Sequence, residues 1–149
     1  MIRIEREAWA GMLAHALEAY PNESCGAMLG RHEAGVKRVT TVVPLDNVAS
    51  GPKASRYEIR PQDLLAADRL ASDRKLVSIG IYHSHPDCDA YFSETDLKNS
   101  CPWYSFVVLS IRGNRFDHAR SWLPDPDQTR AEAEALTYPN GDGDLWRES

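Results

Sequence analysis

The sequence predicts a mixed α/β domain, a sheet of parallel and antiparallel strands sandwiched by helices. Three observations predict it. Short apolar, strand-like runs are interleaved with two stretches of helical periodicity. Two of the strand-like runs fold back on themselves around turn residues, so the sheet needs antiparallel neighbours. The chain has 149 residues, 42% hydrophobic and 26% charged, which suits one soluble globular domain with its own core.

The first helix is expected over residues 6–20, where Trp9, Leu13, Leu17 and Tyr20 recur at spacings of three and four. Pro21-Asn22 ends it. Cys25-Gly-Ala-Met-Leu-Gly30 is short and apolar, a buried strand. A turn at 32–35 leads into a Val- and Thr-rich strand over 36–45. A loop with Gly51-Pro52 follows, then a short strand over 56–60. Pro61 opens a second helix to about Arg74, with Leu64, Leu65, Ala67 and Leu70 on its core face. Residues 76–82, LVSIGIY, read as an apolar strand, residues 83–92 as a loop and 93–100 as a short helix. A hairpin pairs 104–111 with 115–122 around Gly113-Asn114, and Trp103 and Tyr104 are expected in the core. A helix is expected over 128–136. Residues 1–137 then form the domain, and 138–149, with Pro139, Gly141 and Gly143, a flexible tail.

Charge and cysteine content narrow the function classes. Seventeen basic against 22 acidic residues give a net charge of −5, which does not suit a nucleic-acid binder. No stretch approaches the roughly 18 apolar residues of a membrane span. The N-terminus MIRIEREAWAG carries charges where a signal peptide needs its apolar centre. Cys25, Cys88 and Cys101 cannot all pair and include no C-x-x-C, as expected of reduced thiols in a cytoplasmic protein.

One segment concentrates chemistry: Tyr82-His83-Ser84-His85-Pro86, then Ser93-Glu94-Thr95-Asp96. If strand geometry continues past Tyr82, His83 and His85 leave on the same side and Ser84 on the other. Asp96 follows His85 by 11 residues, far enough for the loop to return a carboxylate. Two neutral imidazoles and one carboxylate make a three-ligand site for a divalent ion with a fourth position open, the pattern of catalytic zinc. A water bound there has a pKa of about 7. Ser93-x-x-Asp96 also reads as a capped helix start, and a helix end of that kind favours negative charge. Hydrolysis further needs a proton carrier. Glu23, in Pro21-Asn22-Glu23-Ser24-Cys25-Gly26, is the candidate; its local sequence equally describes an ordinary loop acid, and only the fold can bring it to His83.

Together these residues resemble the JAMM motif of the MPN-domain (Mov34/PAD-1-like) metallopeptidases: Glu, a long gap, His-Ser/Thr-His, seven residues, Ser, two residues, Asp. Residues 86–92 supply the seven. Glu23-Ser-Cys-Gly-Ala-Met-Leu-Gly30 is similar to the family's opening segment and Ser78-Ile-Gly-Ile-Tyr-His-Ser-His-Pro86 to its central strand, so the likeness runs over about residues 2–136. It implies a cytidine-deaminase-like α/β sandwich. It also implies zinc on His83, His85 and Asp96, Glu23 as the general acid/base, and Ser93 as stabiliser of the tetrahedral intermediate. Compact bacterial members act on ubiquitin-like sulfur-carrier proteins, cleaving after a C-terminal Gly-Gly; eukaryotic relatives hydrolyse isopeptides of ubiquitin. With 59 residues between Glu23 and His83 the chain resembles the compact form. It departs from the family at Phe92, where many members carry Pro, and at Cys88, read either as an occasional fourth ligand or as an exposed loop thiol.

Other readings fit less well. A zinc deaminase needs His-x-Glu and Pro-Cys-x-x-Cys, and neither is present. A zincin needs His-Glu-x-x-His, whereas His32-Glu33 is followed by Ala34-Gly35-Val36. No Gly-x-Ser-x-Gly elbow occurs. Many MPN domains are non-catalytic scaffolds without metal ligands; here the ligand set and the carboxylate are complete. His15, His32 and His118 are read as structural or exposed.

Overall fold

The computed structural model describes residues 1–139 and 146–148. Among the described residues, nine strands form one sheet: β1 (Ile2–Ile4), β2 (Cys25–Glu33), β3 (Val36–Leu45), β4 (Val77–Pro86), β5 (Ser105–Arg112), β6 (Arg115–Pro124), β7 (Ala131–Glu134), β8 (Leu136–Pro139) and β9 (Trp146–Glu148). The helices are α1 (Arg6–Ala19), α2 (Pro61–Asp73) and α3 (Glu94–Lys98). The strand order is β7-β6-β5-β4-β2-β3-β1-β8-β9. β1–β3, β1–β8 and β4–β5 are parallel and the other pairs antiparallel, the mixed sheet that the sequence predicts.

Ala135 alone joins β7, at one margin of this order, to β8, next to the other. The sheet therefore curls until its margins approach one another. Ile2 N–H, in β1, donates to Ala135 O at 2.9 Å across that seam. Glu134 closes it with side chains: its buried carboxylate accepts from Ser105 Oγ (2.7 Å), Ser121 Oγ (3.0 Å) and Lys37 Nζ (3.1 Å).

α1 fills the concave side. Ala8, Trp9, Met12 and Ala16 pack with Met28, Val39, Val107, Leu109, Leu136 and Tyr138. Trp9 stacks on Tyr138 at 4.5 Å and meets the edge of Phe116 at 5.2 Å, pairs worth about 0.5–1.5 kcal/mol each beyond burial. α2 covers the other side through Ala67 and Ala71 against Ala27 and Leu29. At the centre β4 and β5 run so close that a Cβ on Gly80 would lie 1.8 Å from Ser105 O.

The structure departs from the sequence reading in several places. β1 is an additional strand, its backbone satisfied by β3 and β8. His32 belongs to β2 rather than to a turn; the turn is Ala34-Gly35, both at positive φ. Residues 56–60 are extended but join no ladder, Glu58 bonding instead to Val48 and the Asn47 side chain. β4 continues through Pro86, so His83, Ser84 and His85 stand on a strand and not in a loop. The helix expected over 128–136 is absent: Ala131–Glu134 is β7 and Leu136–Pro139 is β8. Tyr138, placed by the sequence in a flexible tail, is a buried residue of β8, and β9 pairs with β8. Residues 140–145 and 149 of that tail lie outside the described residues. Trp103 is 74% exposed and not in the core.

Candidate metal centre

The β2–β4 ladder brings Glu23 to the histidines. Its last registered pair is Cys25 with His83. Continued antiparallel, the register sets Ser24 opposite Ser84 and Glu23 opposite His85. Side chains alternate across a strand, so Glu23, Cys25, His83 and His85 face one side and Ser24 and Ser84 the other. Ser84 Oγ accepts from the Ser24 N–H at 2.8 Å and the Ser24 hydroxyl at 3.0 Å, and Ser84 N–H donates to Ser24 O at 3.1 Å. Glu23 is held by its own backbone as well: its N–H donates to Lys53 O at 2.7 Å, and its C=O accepts from Asn47 Nδ2 at 3.1 Å.

Asp96 arrives on α3. Ser93 is the N-cap, its Oγ accepting from Asp96 N–H at 3.0 Å while Asp96 Oδ2 accepts from Ser93 N–H at 3.0 Å. The capping box thus aims the Asp96 carboxylate at the histidines. His83 Nε2, His85 Nε2 and Asp96 Oδ2 form a triangle with sides of 3.2, 3.1 and 3.2 Å. Asp89 O can only accept a hydrogen bond, so the His85 Nδ1 at 2.9 Å carries a proton. The neutral ring then presents a bare Nε2 to the triangle.

Lone pairs gathered this closely in a buried place repel unless a cation sits among them. A tetrahedral ion with ligands at 2.0–2.1 Å spaces those ligands about 3.3 Å apart, close to the triangle's sides. Ligand atoms of Glu23, His83, His85 and Asp96 all lie within 4.8 Å of one another, and all four residues are buried. The donor set of two imidazoles and carboxylates fits a divalent metal. Glu23 Oε1 is sealed from solvent and has no hydrogen-bond partner, and the Glu23 carboxylate belongs to the cluster.

Burial pushes the Glu23 carboxyl up to about 8; Asp96 adds to this and His85 opposes it. Burial also resists ionisation of Asp96, but the histidines, to the extent that they carry protons toward it, and the Ser93 N–H hold the carboxyl well below the usual range. His83 is kept neutral by burial. Ser93 lies at the edge of the cluster, where it lines a cavity of about 60 Å³ with Glu23, Ser55, His85, Cys88 and Tyr91. Cys88 is exposed at that cavity and stands apart from the four clustered residues. Cys25 is buried, its thiol pushed up to about 12 by desolvation, and is correspondingly inert.

Residues 5–125 match the family of prokaryotic homologues of the JAB domain. The chain belongs to that family. The JAB-domain chain is 33% identical over 132 residues to the desampylase of Haloferax volcanii, covering 83% of this chain and 89% of that one. It is 32% identical over 112 residues to the CysO-cysteine peptidase of Mycobacterium bovis, 74% of each chain. A Desulfitobacterium hafniense protein solved in solution superposes with a TM-score of 0.81 at 28% identity over 94% of both chains. This JAB protein is a hydrolase of the JAMM type.

Sequence reasoning missed three parts of the site. Tyr57 is buried and packs on the His83 ring at 4.6 Å. The Asp89 carbonyl sets the His85 tautomer, a backbone role that residue identity does not advertise. Third, a groove of about 460 Å³ adjoins the site, lined in part by Tyr57, Ile59, Leu64, Trp103, Tyr104 and Phe106. The alternation of Tyr57 and Ile59 was the one available signal for that wall. No described helix is long and apolar enough to cross a membrane.

Proposed function

We propose that this JAB protein is a zinc-dependent peptidase that hydrolyses a peptide or isopeptide bond after the C-terminal Gly-Gly of a ubiquitin-like or sulfur-carrier protein. The observation that carries the reading is the triangle of His83 Nε2, His85 Nε2 and Asp96 Oδ2, with the buried Glu23 carboxylate in the same cluster. The relatives' designations, a desampylase and a CysO-cysteine peptidase, support the substrate class.

His83, His85 and Asp96 would hold zinc. Bound there, the ion supplies Lewis acidity and a water acidified to a pKa of about 7. Glu23 takes the proton of the attacking water at Oε1 and delivers it to the leaving amine. A carboxyl raised toward neutrality by burial is suited to both transfers. Ser93 Oγ already accepts from Asp96 N–H, so its hydroxyl proton is free to point at the developing oxyanion. The carrier's tail lies extended along residues 56–60, whose backbone joins no ladder, and crosses the mouth of the apolar groove. Free cysteines at all three positions fit a reducing cytoplasm.

The test is incubation of zinc-loaded protein with sulfur-carrier and ubiquitin-like proteins extended beyond Gly-Gly, read by mass spectrometry. Cleavage at the Gly-Gly junction is expected, and Glu23→Gln is expected to keep its zinc while losing at least about 10²-fold in turnover. Protein that binds no zinc, or a Glu23→Gln variant that cleaves at the normal rate, would overturn the assignment.

A further inference from the structure

The peptide unit between Asp89 and Ala90 is held by a histidine at each end. Its C=O accepts from His85 Nδ1–H at 2.9 Å, and its N–H donates to His118 Nε2 at 3.0 Å. His118 stands on β6, and its Nδ1 lies 2.6 Å from Asp117 Oδ2. A backbone N–H can only donate, so His118 Nε2 is bare and its proton sits on Nδ1, directed at Asp117. A backbone C=O can only accept, which fixes His85 in the same sense.

One directed chain results: Asp117 carboxylate, His118 ring, peptide 89–90, His85 ring, and finally the His85 Nε2 that faces His83 and Asp96. Each bond polarises the next. Ala90 is 1% exposed, so water does not compete for its N–H. The neighbouring peptides are pinned from the same side of the sheet. Ala90 O accepts from Trp122 Nε1–H at 2.9 Å, and Cys88 O accepts from Ser110 Oγ–H at 2.5 Å. Without His118 these anchors still hold the loop near β6, but the Ala90 N–H that orients the 89–90 peptide plane toward His85 loses its acceptor.

We infer that His118, oriented by Asp117, is a positioning residue for the metal site: through the Asp89–Ala90 peptide it fixes the tautomer and angle of His85. It lies outside the catalytic cavity and acts only through that peptide. The inference rests on the metal-binding reading above. A plain loop anchor would affect stability alone; a positioning residue affects how tightly His85 binds metal.

The experiment uses the full chain as wild type, His118→Ala, His118→Gln and Asp117→Leu. Zinc affinity is measured by competition with a chelator of known affinity. Hydrogen exchange of the Ala90 amide is measured by NMR on the metal-free proteins. Glutamine can place an acceptor oxygen near the position of Nε2, whereas alanine cannot. His118→Ala is expected to weaken zinc binding about 10–100-fold, the usual effect of removing a group that orients a metal-ligating histidine. The Ala90 amide should lose its protection in the same variant. His118→Gln should recover zinc affinity to within about threefold of wild type. Asp117→Leu, at a half-exposed position, should weaken binding about three- to tenfold. Wild-type zinc affinity in both His118→Ala and Asp117→Leu would overturn the inference, as would a folded His118→Gln no better than His118→Ala. If wild-type protein bound no zinc the metal reading would fall, while Ala90 exchange in the metal-free protein would still decide whether His118 holds the peptide.

Discussion

Ser84→Ala probes what keeps the two halves of the site in register. Ser84 sits between the metal-facing histidines but points to the other side of β4, into a space sealed from solvent: Ser84 is 1% and Ser24 is 2% exposed. Its Oγ is the acceptor for both the Ser24 amide and the Ser24 hydroxyl. Removing it strands the amide N–H, a loss of about 1–3 kcal/mol for an unsatisfied buried donor. The hydroxyl can rotate but loses a bond worth about 1 kcal/mol, for a total of about 2–4 kcal/mol. Ser24→Ala removes only the hydroxyl bond, about 0.5–1.5 kcal/mol. The two substitutions share that bond, so the double variant should lose about 1 kcal/mol less than their sum. Urea unfolding of the metal-free proteins measures all four corners of the cycle. Melting temperature should track it at about 2–4 °C per kcal/mol for a chain of this size. A Ser84→Ala cost below about 0.5 kcal/mol, or strict additivity, would show that the serine pair does not hold the strands as argued.

Three further outcomes are expected. His83→Ala and Asp96→Ala should each remove a side of the ligand triangle and leave purified protein almost free of zinc by elemental analysis, while Glu23→Gln retains it. Gly80→Ala should destabilise by at least about 1–3 kcal/mol in urea, because its Cβ would meet the Ser105 carbonyl at 1.8 Å and force β4 from β5. Glu23 should make the metal-free fold pH-sensitive. A carboxyl raised from 4.5 to about 8 in the folded state stabilises it below pH 4.5, and that contribution is lost as pH rises through 8. Glu23→Gln removes the titration, so its stability relative to wild type should grow by about 2–4 kcal/mol between pH 5 and pH 8 with chelator present; an unchanged difference would mean Glu23 is not desolvated.

What could be read from the sequence tracks how local each determinant is. Helices α1 and α2 show in the spacing of their own apolar residues, and the His-x-His pair needs only the alternation of one strand. The stretch over 131–136, AEAEAL, is composed of strong helix formers and predicts a helix. It folds as β7 and the start of β8 because β6 offers an edge to pair with and the buried Glu134 gains three partners from β3, β5 and β6. That compensation comes from residues up to 97 positions away and leaves no local trace. Residues 56–60 fail the other way. Tyr57 is buried and Ile59 half-buried, alternating as in a strand, but among the described residues they pair with no strand. β1, three residues long, exists only because β3 and β8 flank it.

Glu23 was the least legible part of the site, and its placement depends on register rather than proximity in sequence. A one-residue slip between β2 and β4 would turn Glu23 to the α1 side and Ser24 toward the histidines. Two features at this end of the ladder oppose the slip. One is the Ser24–Ser84 pair. The other is Gly26, opposite Tyr82, where any Cβ would lie 2.3 Å from the tyrosine ring. Tyr82 cannot easily turn away, because its hydroxyl meets His15 of α1 at 2.7 Å within the core. A register slipped by one residue would place Cys25 or Ala27 under that ring in place of glycine and would unpair the serines together. The Glu-Ser-Cys-Gly and Tyr-His-Ser-His segments are therefore two halves of one device: Glu23, His83 and His85 converge on the candidate metal centre, and the residues between them lock the strands that hold it.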